Sequence, residues 1–213
     1  MEEQYWQYLI DTLTGKDNLK KVKEEAARLR RALSPEEAMQ IASELYGSEH
    51  FQIQEVGVLL YGYAGATLPD ALAFLRNTVS THPSWKVQEV FAMAFDLYCS
   101  VNGYQNSLPT IREWLQDGRP TVRRAVSEGL RIWTSREYFK DHPETAIALL
   151  SALKADESDY VRRSAGNALR DISKKFPELI EAELSSWDIS DKRVAQVHKL
   201  ANRYLMEKRA ARL

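Results

Sequence analysis

Residues able to manage a positively charged reactant occur at repeat spacing in this 213-residue chain. Trp85 stands four residues before Glu89, so a helix there puts an aromatic plane and a carboxylate on one face. Glu55, Glu89, Arg124 and Arg163 each lie two residues after the apolar opening residue of a recurring segment, Ile53, Val87, Val122 and Val161. Stacking those segments brings Glu89 beside Arg124, and Trp85, Glu89 and Arg124 then share a polar surface on which a nucleoside can stack. The same three residues also fit a plainer account, an inter-repeat Glu89–Arg124 ion pair with Trp85 packed at a helix start. Other chemistry is poorly supplied. His50, His82, His142 and His198 show no metal-ligand spacing, Cys99 is the single cysteine and reads as a small buried hydrophobe, and there is no glycine-rich phosphate loop. Neither a metal nor a cofactor is expected.

The elements that must position these residues follow from the repeat. The opening residues recur at intervals of 34, 35 and 39, each followed about 20 residues later by a second amphipathic run: 70–79, 108–116, 143–153 and 177–187. Val122, Ala125, Val126, Leu130 and Trp133 keep the 3.6-residue stripe of a half-buried helix. No segment alternates as a strand would, and 9 glycines with 7 prolines leave little room for β-turns. The expected fold is all-α, an α-solenoid of HEAT-like two-helix repeats. A single domain spans 1–213: capping helices in 1–50 (2–13, 17–32 and 35–46), four repeats in 51–190, and a closing helix in 191–213. Ser34-Pro35-Glu36-Glu37 reads as a capping box, and Asp141-His142-Pro143-Glu144 reads as a second helix start of the same kind. The most apolar run, 56–66, is too short to span a bilayer, and the start lacks a basic leader, so the chain reads as intracellular, cytoplasmic, off the membrane and monomeric.

A formal net charge of −1 conceals segregation, since 176–191 carries −5 and 192–213 carries +6. Arg163, Asn167, Arg170 and Lys174 stand at i, i+4, i+7 and i+11, and Arg124 and Arg131 take two of those positions one repeat earlier. With the acids displaced to other helices, these side chains are expected to form a continuous basic strip suited to a phosphate backbone.

The run Ser84-Trp85-Lys86-Val87-Gln88-Glu89, the segment Val122-Arg123-Arg124-Ala125, and the stretch from Tyr160 through Ala165-Gly166-Asn167-Ala168-Leu169-Arg170 to Glu178 resemble the DNA alkylation repair family of HEAT-like repeat proteins, the AlkC/AlkD superfamily. The resemblance covers about residues 35–205. It implies a DNA glycosylase that holds duplex DNA on a concave basic face and hydrolyses the glycosidic bond of positively charged alkylated purines such as 3-methyladenine and 7-methylguanine. By the same resemblance Trp85 matches the AlkD branch's first aromatic, Glu89 its acid with one extra methylene, and Arg124 its arginine. Asn167 stands where that branch has a second tryptophan, and the wording around it is closer to the AlkC branch. Two other functions fit the chain: a non-catalytic DNA-binding relative, and a HEAT-type scaffold for protein partners.

Overall fold

In the computed structural model, residues 3–15 and 18–211 are described; the outer residues of the expected helices 2–13, 17–32 and 191–213 lie partly outside them. The described residues hold α-helices, short 3-10 turns and no strand, so the fold is of the all-α, HEAT-like α-solenoid class. Proline sets six of the thirteen α-helix starts among the described residues. Six of the seven prolines occupy the first or second position of a helix, and Pro83 directly precedes the cap of another, sites where a missing N–H removes no helical hydrogen bond. The chain divides into two compact units, 1–103 and 104–213.

The first unit contains α1 (Glu3–Leu13), α2 (Leu19–Ala32), α3 (Pro35–Tyr46), α4 (Phe51–Ala64), α5 (Pro69–Asn77) and α6 (Trp85–Asn102). The expected capping box forms: Ser34 N–H donates to Glu37 Oε2 at 2.8 Å, and Glu37 N–H donates to Ser34 Oγ at 3.2 Å. Helix α4 is central, packed on α3, α6 and α2, and it buries Ile53, Val56, Leu60 and Tyr61. Gly62 lets α6 come this near, since a Cβ there would stand 2.3 Å from the Ala94 carbonyl oxygen.

The second unit contains α7 (Leu108–Leu115), α8 (Pro120–Gly129), α9 (Glu137–Asp141), α10 (Pro143–Ser151), α11 (Asp159–Ser173), α12 (Pro177–Ser185) and α13 (Lys192–Ala210). Helix α11 packs between α8 and α13. Two expectations need correction here. The apolar stripe runs on to Trp133, but α8 stops at Gly129; the chain turns and still buries Trp133, whose indole N–H donates to the Ser127 carbonyl at 3.2 Å. Asp141 does not cap the helix that follows. It ends α9, and α10 begins at Pro143 behind His142, which makes no side-chain cap hydrogen bond.

Candidate functional site

A cleft of about 180 Å³ opens in the first unit, lined by Gly15, Asn18 and Leu19, by Phe51, Gln52 and Glu55 of α4, and by Trp85, Lys86, Glu89 and Val90 of α6. The head of α6 is built with care. Ser84 N–H donates to His82 Nδ1 at 3.1 Å, and the Gln88 amide donates to the His82 carbonyl at 2.7 Å, which holds the first turn in place. Burial lowers the titration of His82, favouring the neutral ring that can accept that bond. Val87, Val90 and Phe91 turn into the core, so Trp85 is left on the outer face, 66% exposed, with Glu89 half-buried one turn on. On α4, Gln52 donates to the Thr14 carbonyl at 3.3 Å, tying the cleft's rim to the end of α1. Lys86 Nζ lies 4.6 Å from the centre of the Phe51 ring. Glu55 is buried, and desolvation pushes its carboxyl up to about 7 although Lys86 pulls the other way. An aromatic face with two carboxyl groups in one recess is suited to a flat cation.

The second unit carries Arg124, Arg131, Arg163, Asn167, Arg170 and Lys174. The two Val-Arg-Arg segments divide their labour identically. The first arginine of each is a structural clamp. Arg123 forms a bidentate pair with Asp156 at 2.7 Å through Nε and Nη2, while its Nη1 donates to the Asp117 carbonyl at 2.7 Å. Arg162 repeats this with Gln196 at 2.8 Å and the Asp156 carbonyl at 2.6 Å. The second arginine faces outward: the Arg124 guanidinium lies 4.4 Å from the centre of the exposed Tyr160 ring, and exposed Arg163 pairs with Asp159 at 2.8 Å.

Arg131, Arg170 and Lys174 converge on one buried carboxylate. Asp171 accepts from Arg131 Nε at 2.8 Å and from Lys174 Nζ at 2.9 Å, with Arg170 at 3.6 Å. Glu128 takes a second bond from Arg131 at 3.0 Å and one from Ser164 at 2.8 Å. The expected separation of acids from the basic strip therefore does not hold: Asp159 and Asp171 share α11 with the cations, and Glu128 lies on α8. Arg131 also stands past the end of α8, so its match to Arg170 is one of position in the repeat and not of helical geometry. Asn167 is half-buried on α11. Sequence reading gave Tyr160, Asp171 and Asp156 no role. A signal existed for the last, since an aspartate precedes the first arginine by six residues in both repeats, Asp117 before Arg123 and Asp156 before Arg162.

Among the described residues no group of three or more His, Cys, Asp or Glu side chains is placed to hold a metal ion, and no helix is long and apolar enough to cross a membrane. What the helices and their polar faces define is a HEAT-like repeat protein with an aromatic and acidic cleft in one unit and a cationic helix face in the other. Comparison with known proteins narrows this: residues 18–208 match the DNA alkylation repair enzyme family, and the chain belongs to that family. The fold is similar to AlkD2 from Streptococcus mutans, with a TM-score of 0.90 and 41% identity over 95% of this chain and 98% of that one. It is also similar to smu.31 from Streptococcus mutans UA159, with a TM-score of 0.86 and 42% identity over 94% of this chain and 98% of that one. The alkylpurine DNA glycosylase AlkC of Pseudomonas fluorescens, bound to DNA containing an abasic site analog, shares the fold at a TM-score of 0.51 and 24% identity, over 95% of this chain and 61% of that one. The uncharacterized protein YhaZ of Bacillus subtilis is 35% identical over 99 residues, which span 45% of this chain and only 28% of YhaZ.

Proposed function

We propose that this chain is a DNA glycosylase that excises positively charged alkylated purines of the 3-methyladenine and 7-methylguanine type, acting as a cytoplasmic monomer. The observation that carries the reading is the exposed Trp85 in one cleft with Glu89. In a cationic base the glycosidic electrons leave with the ring nitrogen and cancel its charge, so acid assistance is little needed. Positive charge then develops on the sugar, where a fixed carboxylate and an aromatic face both stabilise it. Glu89 supplies the carboxylate and orients the water that adds to the sugar carbon, and Trp85 supplies the face. Arg124 is the arginine in this reading. Arg131, Arg163, Asn167, Arg170 and Lys174 are the contacts to duplex DNA, the cations neutralising phosphates. The two compact units serve as one domain here. Support comes from the family and from AlkD2 and AlkC, the second of which is a glycosylase held on DNA in its own structure.

A second reading, DNA binding without base release, is favoured by Asn167 standing where a second aromatic wall is expected. Incubation of the chain with a methylated duplex, followed by chromatography of the bases set free, separates the two. Release of 3-methyladenine or 7-methylguanine above the spontaneous rate supports excision. Retention of the duplex in a binding assay with no release leaves only the second reading.

A further inference from the structure

Tyr160 has no part in the reaction just described, yet its ring is 56% exposed and carries the Arg124 guanidinium over it, 4.4 Å from its centre. The repeat does not ask for an aromatic there: the residue ahead of the opening apolar position is Gln52, Lys86, Thr121 and Tyr160 in successive repeats. The seat of the ring is nevertheless firmly built. Asp156 Oδ1 accepts from the Ser158 N–H at 2.8 Å and from Arg123 Nη2 at 2.7 Å, and its Oδ2 accepts from Arg123 Nε at 2.7 Å. Arg162 Nη1 donates to the Asp156 and Glu157 carbonyls at 2.6 and 3.0 Å. The turn that delivers Tyr160 to the second position of α11 is thus held from both sides, by the first arginine of each Val-Arg-Arg segment.

A ring and a carboxylate hold a guanidinium differently. The N–H donors lie in the guanidinium plane, and a carboxylate accepts them and offsets the charge. Arg163 meets Asp159 in this way through Nε, and Arg131 meets Asp171 through Nε and Glu128 through Nη1. An aromatic face attracts the cation as a whole and carries no charge of its own, so the Tyr160 ring fixes the place of the guanidinium without neutralising it. We infer that Tyr160 is a positioning residue that holds Arg124 in the pose from which its guanidinium meets a DNA phosphate, an inference that rests on reading this face as the one that binds duplex DNA. A loose arginine loses its rotamer freedom when it grips a phosphate, and one already held over a ring loses less. The ring thereby tightens binding without touching the DNA.

Anisotropy titration of a fluorescein-labelled, unmodified duplex at one fixed salt concentration tests this as a double-variant cycle. Tyr160→Leu, which keeps apolar bulk and removes the aromatic face, is expected to weaken binding about three- to tenfold at a nearly unchanged melting temperature. Tyr160→Ala is expected to match it, and Tyr160→Phe, which keeps the ring, to bind as the parent chain does. In an Arg124→Ala background, Tyr160→Leu is expected to add no further loss. Parental affinity of Tyr160→Leu, a loss as large in Tyr160→Phe, or a loss matched by unfolding overturns the inference. So does a Tyr160→Leu loss that is undiminished without Arg124, which makes the ring a stacking surface for a base instead. If the parent chain does not bind the duplex, or Arg124→Ala binds as the parent does, the inference falls together with the placing of Arg124 on DNA. A weakened Arg124→Ala beside a parental Tyr160→Leu sinks the inference alone. Base release is read separately: the expected cycle without release from methylated DNA sinks the proposed excision alone.

Discussion

Trp85 leaves two thirds of the largest apolar side chain type in water, 66% exposed, and a flat partner lying on it recovers that loss. Trp85→Ala is expected to change stability by no more than about 0.5 kcal/mol. It is also expected to cost about 1–3 kcal/mol of affinity for a methylated oligonucleotide, the worth of one base stacked on an aromatic side chain. Urea unfolding and a binding titration read the two effects. Asp171 is a different case. Burial alone would raise its carboxyl, but hydrogen bonds and charge from Lys174 and Arg131 outweigh this and hold it below the usual aspartate range. Its pairing therefore contributes fully above the unfolded value of about 3.9 and is lost as pH falls through the lower folded value. Asp171→Asn is expected to destabilise the protein by about 2 kcal/mol at pH 7, and by progressively less as the pH drops below 4. Urea unfolding at pH 7 and pH 3.5 gives the comparison.

At the scale of elements, packing across α4 decides what fits. A Cβ on Gly62 would meet the Ala94 backbone oxygen at 2.3 Å, so α6 must move for any larger residue to be accommodated. Gly62→Ala is expected to cost about 2–3 kcal/mol despite its better helix propensity, visible as a lower melting temperature. Most helices were legible in the sequence because proline and the apolar period act locally: Pro35, Pro143 and Pro177 mark three starts to the residue, and the run expected from 70 begins at Pro69. The break after Gly129 was not, because Leu130 and Trp133 stay buried whether or not the backbone between them is helical. Helix α9 was hidden for the same reason, Phe139 being a core residue within a five-residue element too short to show a period.

At the scale of the whole molecule the cationic face is partly spent on its own carboxylates. Arg163 and Lys174 keep 64% and 50% of their side chains exposed, against 29% for Arg131 and 23% for Arg170. Arg163→Ala and Lys174→Ala are each expected to lower the log–log salt slope of duplex binding by about 0.9, and Arg131→Ala by less. Asp171→Asn is expected to tighten binding while it weakens the fold; Glu181 and Glu183, reversed in charge, should leave binding unchanged. Filter binding between 50 and 200 mM salt is a suitable range for these comparisons. Sequence counting saw the cations but not this pairing, because one aspartate among five cations barely alters a block charge, and its hold on Arg131 depends on a contact spanning 40 residues. Trp85 and Glu89 were legible because i and i+4 on a helix need no tertiary knowledge. Glu55 was visible only as a register mark, since its burial is set by how α2, α4 and α6 pack. The central claim is that Glu89 stabilises charge on the sugar, and base release by Glu89→Gln beside its melting temperature tests it most directly. The account predicts release from methylated duplex slowed roughly 10²-fold or more at nearly unchanged stability; release at the parental rate, or a loss of release fully matched by unfolding, would contradict it.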